Sequence, residues 1–400
     1  MASVRPFRAL RPRDDLARQV IAPPYDVLTE VEARAIARER NSFVRVTRSE
    51  VDLPPGTDPH AEVAYTTARA NLDAFVAAGV LVEDREPTYY FYGQVMGSHE
   101  QVGILAGCSV DEYDDGRIAK HEFTRPDKED DRTHHMDVLD AQVGLVFLAY
   151  RPTAELDRLT TEVTRGRPAW EVTTEDGVIH RLWVAPASAI EPIRAAFAQV
   201  PRLYIADGHH RSAAASRIHA QRRSASSAEF LAGLYPSDRL QVLAYNRVVH
   251  DLNGLDPAAF RTRLAAAYEL VDDGASRPAR RGEIAMYLDG RWTRLVARPA
   301  VRSSDPVAGL DVSILQDHVL GPILGIDDPR RSERITFVGG IRGEGALKSA
   351  VDGGRAVAFH LFPTSLDELF AVADAGMVMP PKSTWFEPKL REGVVVRRLG

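Results

Sequence analysis

The chain has 400 residues, of which 44% are hydrophobic and 26% are charged. That composition is typical of a folded, water-soluble protein of about two or three domains, with a core large enough to fold without disulfides. The 50 basic and 56 acidic residues give a net charge of −6, so no global attraction to nucleic acid is expected. The single cysteine, Cys108, excludes an internal disulfide and a cysteine-based zinc site, and its apolar neighbours predict a buried thiol.

No apolar run approaches the roughly 20 residues that a membrane-spanning helix needs. The N-terminal segment has no apolar stretch of the kind found in secretion signals. We therefore expect a cytoplasmic protein without a membrane span. The sequence leaves the oligomeric state open.

Apolar periodicity and turn residues predict short strands mixed with helices, without a regular βαβ repeat. The predicted strands cover residues 4–10, 87–97, 101–123 with a turn at 114–116, 144–150, 168–174, 177–185, 204–207, 240–252, 283–297 with a turn at 289–290, 335–339 and 356–362. The predicted helices cover residues 27–39, 60–80, 124–143, 187–198, the segment after 208, 257–268 and 312–320. Because the strands are short, unevenly spaced and often linked as hairpins, we predict an α+β fold with mixed and antiparallel sheets surrounded by helices. We expect one domain over residues 1–240 and a second domain or layer over residues 241–400.

The most informative segment is YIADGHHRSAAA (204–215), where an apolar, strand-like run meets an alanine-rich helix at Asp207 and Gly208. Gly208 permits a tight turn, and the helix that follows offers unpaired N–H groups and the positive end of its dipole. The polar side chains at this helix start are His209, His210, Arg211 and Ser212. Together these groups suit a phosphate or another anion. The alternative is a capped helix start with solvated polar side chains.

A second polar cluster lies in AKHEFTRPDKEDDRTHH (119–135), at a predicted junction between a strand and a helix. Its candidate binding residues are Lys120, His121, Glu122, Lys128 and Arg132. Because an anion site needs cations from more than one side, we predict that this cluster and the DGHHR segment converge on one cleft. The alternative is a charged helix start that faces solvent.

Two further segments carry polar residues beside prolines. The run MPPKSTWFEPKL (379–390) places Lys382, Ser383 and Thr384 in extended backbone, and we predict that they border the same cleft. The alternative is a tail that Trp385 and Phe386 anchor to the core. The segment IAPPYDV (21–27), which contains Asp26, is predicted to be a plain turn.

In this order, the segments PPYDV, KHEFTRPDKEDDR, DGHHRSAAA and MPPKSTWFEPK resemble the bacterial and archaeal family known as domain of unknown function 1015, over nearly the whole chain. The DGHHR segment alone also resembles the phosphate-binding corner of the ParB/sulfiredoxin fold, a group that includes free-serine kinases. For those kinases the resemblance implies phosphate oxygens held by backbone N–H groups and by histidine and arginine side chains, with a carboxylate as base. This corner lacks the cysteine of sulfiredoxins, so their activity is not expected. Partition proteins have a basic face and a DNA-binding helical module, whereas this chain is acidic overall and shows no clear helix-turn-helix segment, so DNA partition is not expected.

The leading hypothesis is a small-molecule phosphotransferase that uses a nucleotide or pyrophosphate donor and a hydroxyl acceptor such as free serine. Glu122 is the predicted general base, and His121, Asp207 and His209 are further predicted catalytic residues. Mg²⁺ is predicted to bridge phosphate oxygens to Asp207. The predicted phosphate ligands are Gly208, His209, His210, Arg211, Ser212, Lys120, Lys128, Arg132, Lys382, Ser383 and Thr384.

Two other functions stay open at this point. A non-catalytic protein could use the same cationic corner to sense a nucleotide or a phosphorylated metabolite. A metal-dependent hydrolase could use His121, His209, His210 and an aspartate as ligands, although their spacing matches no standard zinc motif.

Overall fold

The computed structural model describes residues 2–400. The chain forms two compact units: the chain up to Leu240 together with Pro388–Gly400, and Gln241–Glu387. Pro388–Gly400 therefore belong to the first unit, whereas the sequence analysis placed them in the second domain.

The first unit holds most of the predicted polar clusters. Its strands are β1 (Val4–Arg5), β2 (Leu10–Pro12), β3 (Leu81–Glu83), β4 (Tyr90–Met96), β5 (His99–Ser109), β6 (Ile118–Ala119), β7 (Ala141–Gln142), β8 (Val146–Tyr150), β9 (Trp170–Thr173), β10 (Ile179–Val184), β11 (Leu203–Asp207) and β12 (Glu229–Pro236). Its helices are α1 (Ala17–Val20), α2 (Glu30–Ile36), α3 (Val44–Thr47), α4 (Glu62–Ala77), α5 (Val110–Asp114), α6 (Pro126–Leu139), α7 (Ala154–Thr164), α8 (Ala187–Phe197) and α9 (His209–Arg222). Short 3-10 turns lie at Asp14–Leu16, Tyr25–Val27, Ser49–Asp52 and Ser237–Arg239.

The second unit is built around an antiparallel sheet. Its strands are β13 (Gln241–Leu243), β14 (Tyr245–Val249), β15 (Tyr268–Val271), β16 (Glu283–Leu288), β17 (Arg291–Ala297), β18 (Ile335–Gly339), β19 (Val357–Leu361) and β20 (Trp385–Glu387). Its helices are α10 (Pro257–Leu264), α11 (Asp311–Leu315), α12 (Gly343–Asp352) and α13 (Leu366–Asp374), with 3-10 turns at Pro299–Val301 and Gly340–Arg342 and a π-helical turn at Gln316–Leu320. Six strands pair in the order β15-β17-β16-β19-β14-β18, and β13 pairs with β20. The last strand of the chain, β21 (Arg397–Arg398), belongs to the first unit and pairs there with β7.

A mixed sheet organises the first unit. Its strands follow the order β6-β11-β8-β12-β5-β4-β10-β9, and β1 pairs with β5. The pairs β6/β11 and β8/β12 are parallel, whereas β8/β11 and β5/β12 are antiparallel. Strand β8 is buried along its whole length, which explains its continuous apolar run. The predicted α+β fold with mixed and antiparallel sheets is confirmed.

Several local predictions are confirmed because their signals are local. The predicted helix over residues 27–39 is present as α2, which Thr29 caps through a capping box with Glu32. Helix α4 buries Ala64, Ala68 and Leu72, which the sequence places on one helical face. The thiol of Cys108 is buried.

Two strand predictions are wrong, and one strand was missed. Val110–Asp114 is a helix capped by Ser109 instead of part of a hairpin, and β6 pairs with β11 in parallel instead of returning along β5. The predicted strand over 240–252 is two strands in different sheets, β13 and β14. Strand β12 was not predicted at all, although it lies at the centre of the mixed sheet.

Among residues 2–400, no helix is both long enough and apolar enough to cross a membrane.

Candidate active site

The predicted strand–turn–helix corner is present at the junction of β11 and α9. Gly208 has φ +96° and ψ 27°, a left-handed conformation that glycine adopts without the steric cost that other residues meet. It ends β11 and lets α9 begin at His209. The Arg211 N–H donates to the Gly208 carbonyl at 2.9 Å, whereas the N–H groups of His209 and His210 precede the hydrogen bonds of the helix. This end of the helix therefore favours an anion.

The Arg211 side chain folds back over this turn, in space left by two glycines that have no Cβ. An ideal Cβ on Gly208 would lie 2.9 Å from Nε of Arg211. An ideal Cβ on Gly144, between β7 and β8, would lie 3.1 Å from Cδ of the same side chain. The guanidinium is 4.0 Å from Asp207 Oδ1 and its side chain is only 14% exposed. Arg211 is therefore a largely buried cation beside the start of α9.

Asp207 is held by a lysine from the C-terminal segment. Lys389 Nζ donates a hydrogen bond to Asp207 Oδ2 at 2.9 Å, and the Gly208 N–H donates to Asp207 Oδ1 at 2.8 Å. Burial alone would raise the pKa of Asp207, but the charges of Lys389 and Arg211 outweigh it and hold the pKa below its ordinary value. Asp207 is thus an ionised carboxylate that positions two cations.

Two buried glutamines fix the backbone of that C-terminal segment. Gln94 on β4 donates to the Lys389 carbonyl at 2.8 Å. Gln101 on β5 donates to the Gln94 side-chain oxygen at 3.0 Å and to the Pro388 carbonyl at 3.4 Å. Because both amides are buried and bonded, they define where Lys389 stands.

The two sequence motifs come together at this corner, as predicted. The rings of His121 and His209 meet edge to face, with centroids 4.5 Å apart. Glu122 Oε2 lies 3.8 Å from His209 Nδ1. His210 Nε2 accepts a hydrogen bond from the Arg125 N–H at 3.1 Å, which joins α9 to the segment before α6.

Both buried histidines are neutral at pH 7. Burial lowers the pKa of His121 to about 4. Burial and the neighbouring His121 ring lower the pKa of His209 well below its ordinary value. His121 Nδ1 and His209 Nε2 are buried without a hydrogen-bond partner.

Arg211 also lines a cavity. It contains about 470 Å³ of space not filled by atoms, part of it open to solvent. The polar residues that line it are Tyr25, Thr47, Arg132, His135, Gln142, Arg211 and Glu392. Arg132 lies over the Tyr25 ring, with its guanidinium carbon 4.2 Å from the ring centroid, and pairs with Asp131 at 2.7 Å. The cavity therefore presents two guanidinium groups and one carboxyl to a small polar molecule.

Glu392 is the carboxyl of this cavity. The residue is 3% exposed, and its Oε2 has no hydrogen-bond partner. Burial raises the pKa of Glu392 to about 7, although Arg211 acts in the opposite direction. Its backbone pairs with Ala22 through hydrogen bonds of 2.9 and 3.1 Å, which fix the segment beside the turn that carries Tyr25.

The other predicted residues of the first unit have less direct positions. Lys120 is exposed, and its ammonium group lies 3.6 Å from the centroid of the Tyr113 ring. Lys128 is half-buried in the first turn of α6. Ser212 is fully buried and donates to the His209 carbonyl at 3.0 Å, so its hydroxyl bonds within its own helix.

Lys382, Ser383 and Thr384 belong to the second unit. Lys382 has φ +58°, and its ammonium group lies 5.6 Å from the Tyr245 ring centroid. Ser383 donates to the Pro380 carbonyl at 2.6 Å. Their role as phosphate ligands stays a prediction.

Four residues of the site were not predicted from the sequence: Lys389, Glu392, Gly144 and Tyr25. Lys389 was visible as a cation after a proline, but Glu392 sits in the ordinary charged run KLREG. Nothing in that run predicts that the carboxyl is buried, because its neighbours come from distant parts of the chain.

The chain matches the family model described as "Protein of unknown function (DUF1015)" over residues 4–313. The chain belongs to this family. The segments PPYDV, KHEFT and DGHHR lie within the matched residues, and MPPKSTWFEPK lies beyond them. None of the curated protein sequences matches the chain.

Three solved structures illustrate the similarities in three dimensions. A free serine kinase variant in complex with ADP has 13% identity and a TM-score of 0.38, over 71% of this chain and 87% of that one. A conserved hypothetical protein from Pyrococcus furiosus has 14% identity and a TM-score of 0.36, over 72% and 92%. SbnI from Staphylococcus aureus, with a C-terminal truncation, has 12% identity and a TM-score of 0.39, over 72% and 84%.

Proposed function

We propose that the protein is a small-molecule phosphotransferase that moves a phosphoryl group from a nucleotide or pyrophosphate to a hydroxyl such as that of free serine. One observation carries the proposal. The guanidinium of Arg211 borders both the anion-binding start of α9 and the cavity that contains Glu392. A donor phosphate at the helix start and an acceptor in the cavity would therefore meet at the same cation.

The donor side rests on electrostatics. Phosphoryl transfer needs cations and oriented N–H groups around the transferred group, because negative charge is spread over its oxygens. The start of α9, Arg211 and Lys389 offer such groups on adjoining sides of Gly208. Each is held by backbone or by a paired carboxylate, so little reorganisation accompanies binding.

The acceptor side rests on the two charged groups of the cavity. Arg132 uses Nε and Nη2 to contact Asp131, and its remaining guanidinium N–H groups can bind the carboxylate of a small acceptor such as an amino acid. Glu392 can take the proton of the acceptor hydroxyl while that oxygen forms its bond to phosphorus and the donor's bridging P–O bond breaks. A base with a pKa near the working pH is the effective kind.

Glu392 has better geometry for this role than Glu122, the base predicted from sequence. The Glu122 side chain is 43% exposed and is adjacent to the two buried histidines, whereas Glu392 is buried in the cavity. The test below includes variants of both carboxylates.

The predicted Mg²⁺ ligand, Asp207, fits the ion poorly. Both of its oxygens already accept hydrogen bonds from protein donors, Lys389 and the Gly208 N–H. Bound Mg²⁺ would neutralise phosphate charge, but no step of the proposed reaction passes through Asp207 and a metal.

The direct test incubates the protein with serine, Mg²⁺ and ADP, ATP or pyrophosphate in turn, and measures phosphoserine. Arg211→Ala should weaken donor binding and turnover together, whereas Arg217→Ala, on the same helix but paired with Asp130 at 2.6 Å, should change neither. Glu392→Gln should leave donor binding unchanged and reduce turnover by roughly 10²–10⁴-fold. If Glu122→Gln has that effect and Glu392→Gln does not, the base is Glu122.

Two outcomes would replace the proposal. Nucleotide binding without product from any donor, unchanged in both glutamine variants, would identify a non-catalytic sensor. Release of inorganic phosphate without phosphoserine would identify a hydrolase.

A further inference from the structure

Three side chains at the corner have the composition and spacing of a metal site. The candidate ligand atoms of His121, Glu122 and His209 all lie within 4.8 Å of one another. The separation of Glu122 Oε2 and His209 Nδ1 is 3.8 Å. Two ligands that share a tetrahedral ion at bond lengths of about 2.1 Å lie about 3.4 Å from each other, so small side-chain movements would close the site.

The histidines provide a second, independent observation. His121 is 3% exposed and His209 is 5% exposed, and each ring has a buried nitrogen without a hydrogen-bond partner. Buried polar atoms are nearly always partnered, because an unsatisfied one loses its hydration without compensation. A metal ion bound to His121 Nδ1 would supply the missing partner of that atom, whereas an ion shared with Glu122 would bind His209 through Nδ1 and not through its unpartnered Nε2.

The ligand types select the class of ion. Two imidazole nitrogens and one carboxylate suit borderline divalent ions such as Zn²⁺, Fe²⁺ or Co²⁺, whereas Mg²⁺ prefers oxygen ligands alone. Three protein ligands would leave open coordination positions, as in catalytic rather than structural metal sites.

We infer that His121, Glu122 and His209 form a binding site for one divalent first-row transition-metal ion. The site differs in residues from the predicted Mg²⁺ site at Asp207 and from the cavity around Glu392. It does not depend on the phosphotransferase proposal, because metal binding can be measured without any substrate.

The test uses untagged, full-length protein from which metals have been removed by a chelator. Co²⁺ is titrated while its visible absorption is followed, and Zn²⁺ and Mg²⁺ are titrated by calorimetry. We expect one equivalent of Co²⁺ or Zn²⁺ to bind, with Mg²⁺ unable to compete. Glu122→Gln, a change at a partly exposed side chain, and His209→Gln should each weaken binding by at least about 10-fold.

The matched control is His134→Gln. His134 is exposed and lies 2.8 Å from Glu62, so it forms a histidine–carboxylate pair outside the proposed site. Its substitution should leave Co²⁺ affinity unchanged. Absence of Co²⁺ and Zn²⁺ binding, equal effects of His134→Gln and Glu122→Gln, or equal affinity for Mg²⁺ would each overturn the inference. Melting curves of the variants identify any that fail to fold, and Glu122→Gln alone then decides the outcome.

Discussion

Gly208→Ala separates the backbone role of this glycine from its role at the proposed anion site. The residue has φ +96°, where an L-amino acid costs about 1–2 kcal/mol. For a unit of this size, that cost lowers Tm by roughly 2–8 °C. The new Cβ would also lie 2.9 Å from Arg211 Nε, a distance that forces the guanidinium to move.

The matched control is Gly116→Ala. Gly116 has φ +81°, but no atom lies within 4 Å of an added Cβ. Both variants should therefore lose similar stability, and only Gly208→Ala should lose affinity for pyrophosphate or ADP. Displacing one charged hydrogen-bonding group predicts a loss of about 1.5–3 kcal/mol, or roughly 10–150-fold in Kd.

Melting curves measure the stability of the two variants, and calorimetric titration with pyrophosphate and ADP measures their affinity. Equal Kd values for wild type, Gly116→Ala and Gly208→Ala would refute the assignment of Arg211 and the start of α9 to anion binding. An unchanged Tm in Gly208→Ala would refute the backbone argument.

Three further predictions concern charge and stacking. Burial raises the pKa of Glu392 from 4.5 to about 7. The free energy of unfolding of wild type should therefore fall relative to Glu392→Gln by on the order of 3 kcal/mol as pH rises from about 4.5 to about 7. Unfolding measured at several pH values checks this, and a difference that does not change with pH would contradict it. A double-mutant cycle of Lys389→Met and Asp207→Asn should give a coupling energy of about 0.5–3 kcal/mol, and additive effects would mean that the 2.9 Å pair contributes nothing. Phe123 is 72% exposed beside Glu122, so Phe123→Ala should leave Tm unchanged. It should weaken ADP binding by about 1–3 kcal/mol, because the adenine base would lose a stacking partner. Pyrophosphate, which has no base, is the control, and equal losses of affinity for both donors would exclude stacking.

The corner at Gly208 could be predicted because its determinants are adjacent in sequence. An apolar strand, a glycine and an alanine-rich helix each express a local preference, and the structure follows them. The hairpin turn at Asp289 and Gly290 is similar, since both residues adopt the positive φ that this dipeptide favours.

The failed strand predictions had competing local signals. In Val110–Asp114 the apolar valine and tyrosine suggested a strand, but the Ser109 cap and the acidic first turn favour a helix. The segments β13 and β14 were predicted as one strand because both are rich in branched and aromatic residues. Only their different partners separate them: β20 for β13, and β18 and β19 for β14.

The sequence by itself determined the α+β class, the family and the strand–glycine–helix corner at Gly208, because these follow from periodicity, from motifs and from neighbouring residues. Only the tertiary structure decided what surrounds that corner. Lys389 reaches Asp207 across 182 residues of chain, and Glu392 acquires its raised pKa from burial beside residues of several distant segments. Burial and charge pairing depend on which groups share a space after folding, and residue spacing along the chain carries no record of that.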